Sequence, residues 1–162
     1  MKIQTIFTVA FMIPSLSFGD SPLPSPSLVR NCPESGNFCV VSDPKAEKTK
    51  IISKVDEREL WSIVGWYAWS FVSEDGIYAA MGYPGMNLVP RDVSIKEPVF
   101  WVYKQGKLKM VVKLSDLYRS VEEIPETTSH RVWLSTAYFN KSGSFVIELD
   151  DDSKKSFDLS DN

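Results

Sequence analysis

Histidine occurs once in this sequence, at position 130, and cysteine twice, at positions 32 and 39. One imidazole leaves a zinc-type centre short of ligands, because such centres gather several Cys and His side chains at close spacing. Six residues separate the two cysteines, so the C-x-x-C spacing of a redox dithiol is missing. Basic charge is not in excess: 18 Lys and Arg stand against 21 Asp and Glu, with a pI near 5.2. A nucleic-acid surface needs the opposite balance. No G-x-S-x-G elbow of the hydrolase type is present. The N-terminal apolar run, Ile3 to Ile13, is far short of the about 20 residues needed to cross a bilayer. Neither a cofactor nor a metal is expected.

That N-terminal run has a use of its own. Lys2 is the only charge before Asp20, Ile3 to Ile13 is apolar apart from Gln4, Thr5 and Thr8, and Ser17 and Gly19 are small residues after Pro14. A positive end, a short apolar core and small residues at −3 and −1 make a secretory signal peptide cleaved near Gly19. The sequence therefore divides into a signal peptide (1–19), a Pro/Ser-rich tether (20–30) holding Pro22, Pro24 and Pro26, and a single β-rich domain (31–162). The expected location is secreted or periplasmic, with no membrane span in the mature chain.

Hydrophobic content of 43% and aromatic content of 12% supply a real core. In an oxidising compartment Cys32 and Cys39 are expected to be joined, since Pro33 to Phe38 contains turn formers. The segments Cys39–Ser42, Thr49–Val55, Ile77–Met81, Pro98–Lys104, Leu108–Leu114, Val132–Phe139 and Ser144–Leu149 read as strands, separated by turns such as Ser73–Gly76 and Gln105-Gly106. Between Leu60 and Val72 the reading is two strands broken near Gly65; a helix begun by Asp56 and Glu59 is the alternative. Tyr83-Pro84-Gly85-Met86 has the pattern of a type II turn. A long loop follows it, and Ser115 is placed to cap one short helix from Asp116 to about Glu123. The expected fold is mainly β: a small antiparallel sandwich- or barrel-like domain with one short helix. Faint likeness between Lys113–Asp116 and Phe157–Asp161 is too little to make a propeller repeat.

Few residues suggest chemistry. Asp150-Asp151-Asp152 lacks the alternation, glycine and glutamate of a calcium loop and reads as a solvated hairpin tip. Glu122, Glu123 and Glu126 lie too close together to flank a glycosidic bond. Asn140-Lys141-Ser142 matches a glycosylation acceptor. Trp61, Trp66, Tyr67, Trp69 and Phe71 read as core aromatics, with a stacking or partner-gripping platform as the alternative. His130, beside Ser129, reads as a histidine holding loop or core groups.

These features point to an exported, non-enzymatic interaction domain that recognises another extracytoplasmic protein through surface loops, an inhibitor or immunity-like protein being one form. Its expected contact residues are Tyr83, Met86, Asn87, Leu88 and His130. The alternative is an extracytoplasmic hydrolase working through His130.

Overall fold

The structure, a computed structural model, describes residues 25–160; the signal-peptide segment lies outside them. It is mainly β, with antiparallel sheets and one short α-helix. The first sheet is a meander of β1 (Val29–Asn31), β2 (Phe38–Asp43), β3 (Lys48–Ser53) and β4 (Glu59–Val64) in chain order. β1 opens at Val29, within the Pro/Ser-rich stretch, because Val29 and Arg30 pair with Ser42 and Val41. Asp43 Oδ1 accepts the Lys45 N–H at 2.8 Å and closes the β2–β3 turn. Asp56 and Glu59 do not begin a helix. The Ser53 N–H donates to Arg58 O at 2.9 Å, the chain reverses there, and β-rich Glu59–Val64 returns alongside β3. Gly65, with φ at +107°, then breaks the strand. The break is held by a buried network: the Ser42 and Thr49 hydroxyls lie 2.7 Å apart, Thr49 donates to Gly65 O at 2.8 Å, and the Tyr67 N–H donates to the Ser42 hydroxyl at 2.7 Å.

The second sheet contains β5 (Ser70–Val72), β6 (Tyr78–Gly82), β8 (Pro98–Lys104) and β9 (Lys107–Lys113), in the order β5-β6-β8-β9. Inside the expected long loop sits a further strand, β7 (Leu88–Pro90), which pairs with β10 (His130–Val132). Between β9 and β10 lie helix α1 (Leu114–Leu117) and a 3-10 turn, Val121–Glu123. The helix therefore starts earlier and ends sooner than its sequence suggests. Asp116, not Ser115, takes the first backbone donor, that of Lys113, at 2.8 Å. Buried Tyr118, whose hydroxyl donates to Trp133 O at 2.7 Å, leaves the helix in extended conformation.

A third sheet closes the described chain: β11 (Thr136–Phe139), β12 (Phe145–Glu148) and β13 (Lys154–Phe157). The expected strand Val132–Phe139 is split because its backbone changes partner. The Trp133 N–H goes to Asn87 O at 3.0 Å and the Ser135 N–H to Glu148 O at 2.9 Å.

The second sheet is covered on both faces along β5, β6 and β8, while β9 stays largely exposed. Phe100, Val102, Val112 and Ala80 face Phe145, Ile147 and Ala137 of the third sheet, with Trp133 and Leu134 filling the same core. Ala79, Met81, Trp101 and Tyr103 face Val40, Ile51 and Ile63 of the first. Coverage of both faces explains why β6 and β8 read as continuous apolar runs, where an antiparallel sheet wet on one side alternates. Phe100 is the hub of the larger core, with ring centroids 4.9 Å from Phe145, 5.5 Å from Trp133 and 5.6 Å from Trp69. Of the aromatic cluster, Trp69 and Phe71 pack on this core and Trp61 and Tyr67 on the smaller one. Trp66 does something else: its indole donates to Ser27 O at 2.8 Å and ties down the end of the proline-rich stretch. Cys32 and Cys39 are joined, with Cα atoms 4.3 Å apart. No helix among the described residues is long and apolar enough to cross a membrane.

Candidate functional site

The loop Tyr83–Leu88 is built from two consecutive turns. The Met86 N–H donates to Tyr83 O at 2.8 Å and the Leu88 N–H to Gly85 O at 3.0 Å. The first is not a type II turn, because the left-handed residue is Met86 (φ 58°) and not Gly85. Glycine is needed at 85 for space: a Cβ there would lie 2.5 Å from Leu88 O and 2.9 Å from the Tyr83 ring. From beneath, fully buried Trp133 donates its indole N–H to Met86 O at 2.9 Å and its backbone N–H to Asn87 O at 3.0 Å. Met86 is thus held at the tip with 40% of its surface exposed. Tyr83 is half-buried, and burial, helped by the Glu97 carboxylate, holds its phenol above the usual tyrosine range.

His130 belongs to the same corner of the molecule. It faces Pro90 across the β7–β10 ladder, while Leu88 faces Val132. The structure therefore brings together on one ladder and its adjoining loop the residues that sequence reading chose separately. His130 is tied by its backbone: Thr127 N–H and hydroxyl donate to His130 O at 2.8 and 2.9 Å, and the His130 N–H returns to the Thr127 hydroxyl at 3.1 Å. Its Nδ1 lies 3.0 Å from the Ser129 hydroxyl.

An ion-pair cluster that sequence reading missed supports this corner. Glu126 pairs with Arg91 through one oxygen and with Arg131 through the other, the latter at 3.2 Å. Arg131, only 13% exposed, also donates to Ile124 O at 3.0 Å and Arg91 O at 3.1 Å. Only the fold joins positions 91, 126 and 131, so no local spacing signals them. Glu126 is committed to these cations and Glu123 accepts the Arg119 N–H at 3.0 Å. The two remaining motifs sit in turns. Asn140 Oδ1 accepts the N–H groups of Ser142 and Ser144, each at 3.0 Å, and so shapes the β11–β12 turn. Asp151 accepts the Ser153 N–H at 3.0 Å at the β12–β13 tip. Among the described residues no three His, Cys, Asp or Glu side chains are grouped to hold a metal ion.

Several grooves lie elsewhere, two of them beside β4 and β5. One of about 640 Å³ runs between β4 and the β8–β9 turn, lined by Lys48, Val64 and Tyr103. Tyr103 there is pushed up to about 12 by burial and by its hydrogen bond with Tyr67. The other, about 310 Å³, opens beside β5 and is lined by Asn31, Phe71, Val72, Glu74, Tyr138 and Phe139 among others. His130 lines neither. No protein-family model matches the chain, and no curated protein matches it.

Proposed function

We propose that the protein is an exported, non-enzymatic interaction domain that recognises another extracytoplasmic protein through the Tyr83–Leu88 loop and the adjoining His130 edge. The observation that carries this reading is the fixed, exposed Met86. A flexible thioether side chain adapts to a partner's surface, while a backbone already anchored by Trp133 loses little freedom on binding. An inhibitor-like or immunity-like protein is one form of this class. Export follows from the N-terminal pattern of charge, apolar core and small residues.

Affinity capture of the mature protein from its own extracytoplasmic fraction, with mass spectrometry of what co-purifies, tests it. The expected result is one dominant partner whose capture drops at least tenfold with Met86→Asp while the melting temperature is unchanged, since a central anchor carries about 2 kcal/mol or more. A partner retained in full by the folded variant overturns the loop assignment.

The alternative reading, a hydrolase, has the 3.0 Å contact between His130 Nδ1 and the Ser129 hydroxyl in its favour. A general base also needs an orienting group and a place for substrate. Here the nearby Glu126 carboxylate is held by two arginines. His130→Gln is expected to leave biological activity intact; a loss of about 100-fold in a rate, the scale of a missing general base, would favour the enzyme.

A further inference from the structure

β5 is the edge strand of the second sheet; no described strand pairs with its outer side, which borders the 310 Å³ groove between Asn31, Pro33 and Ser35 on one flank and Tyr138 and Phe139 of β11 on the other. Its backbone orientation follows from its neighbours. The Gly82 N–H donates to Trp69 O at 2.8 Å and the Ser73 N–H to Tyr78 O at 3.0 Å, so Trp69, Phe71 and Ser73 turn their polar groups toward β6. Ser70 and Val72 then turn theirs outward. The Asn31 amide donates to Ser70 O, as this alternation requires. Val72 N–H and C=O are left directed at the groove, the arrangement by which an extended segment adds to a sheet. On the same strand, the Ser70 hydroxyl is the one buried side-chain polar atom among the described residues without a hydrogen-bond partner.

The walls specify what the segment carries. Phe71, Val72, Tyr138 and Phe139 are apolar or aromatic, and Glu74 is the only ionisable acid or base with a formal charge among the lining side chains. One Glu74 oxygen takes the Ser35 hydroxyl at 3.0 Å, which fixes the carboxylate at the rim. We propose that the β5 edge binds an extended peptide segment, as an added strand, with an apolar residue next to a lysine or arginine that pairs with Glu74. The groove is at the small end of ligand clefts, which run from about 300 Å³ upward, so it takes a short stretch of chain and not a folded face.

Panning of a random hexapeptide phage library on the immobilised protein, followed by synthesis of the enriched peptides, tests this. Enrichment of Lys or Arg beside an apolar residue is expected. Glu74→Lys should weaken those peptides at least tenfold, and exchange of their basic residue for Glu should restore binding to that variant. N-methylation of the peptide backbone at alternate positions should abolish binding. Glu74 sits on an exposed turn, and a melting curve confirms that its variant folds. An unenriched library, or peptides indifferent both to Glu74→Lys and to N-methylation, overturns the proposal. Met86→Asp is expected to leave peptide binding unchanged, so this site and the loop stand or fall separately.

Discussion

Most of what single residues do here concerns where an aromatic ring or its N–H goes. Phe100 is wholly buried and touches the rings of Trp69, Phe71, Trp133 and Phe145, so it joins β8 to the third sheet and to the segment beneath the Met86 loop. Phe100→Ala is expected to destabilise by about 3–5 kcal/mol, the usual cost of a large buried cavity, measured by chemical denaturation; a loss below about 1 kcal/mol would mean that the core is not organised around this ring. Trp133 has the opposite character: its volume is core, yet its donors set the loop. Its importance was not visible in the sequence, where it stands as one aromatic in a strand-like run. Its partners Met86 and Asn87 lie more than forty positions away, and no local pattern encodes that contact.

At the scale of elements, the turns were the most legible features. The hairpins around Ser73–Gly76 and Gln105-Gly106 appear where Gly and its polar neighbours place them, and the break at Gly65 separates β4 from β5. Strand limits and the helix were less legible, because backbone partners and buried side chains decide them. The Val132–Phe139 run is divided by a change of partner, and Tyr118 is drawn out of α1 by its buried bond to Trp133 O. The Cys32–Cys39 bridge ties β1 to β2 at the end where the 310 Å³ groove opens. Cys32→Ser with Cys39→Ser is expected to lower stability by about 2–3 kcal/mol through the unfolded chain, checked by denaturant unfolding with and without reductant. Two thiols alkylated in the untreated, denatured protein would show that the bridge does not form.

The described residues form three larger antiparallel sheets and the two-stranded β7–β10 ladder, and the pH response follows from groups on the surface and in the core. Hydrogen bonds from Arg30, Lys48 and Lys154 hold the Glu57, Glu59 and Glu148 carboxyls below the usual 4.5. The folded state therefore binds fewer protons than the unfolded one in acid. This contribution is complete above about pH 4.5 and is lost as pH falls through the lowered folded values. Burial raises Tyr103 from 10.0 to about 12 and Tyr118 higher still. Those phenols stay protonated longer in the folded state, so their contribution is complete below about pH 10 and lost as pH rises beyond it. Melting temperatures measured from pH 3 to 11 should fall at both ends, the acid side becoming shallower in high salt because these ion pairs are exposed; a flat profile would contradict both assignments. By itself the sequence determined the class: β-rich segments at short spacing, turns at their glycines and a close cysteine pair are all local properties. Tertiary structure alone decided which sheet lies in the middle, that the Tyr83–Leu88 loop and His130 share one corner, and that β5 ends its sheet beside a groove. Those outcomes depend on contacts between distant positions, where burial and hydrogen bonding outweigh the preferences of any short stretch of chain.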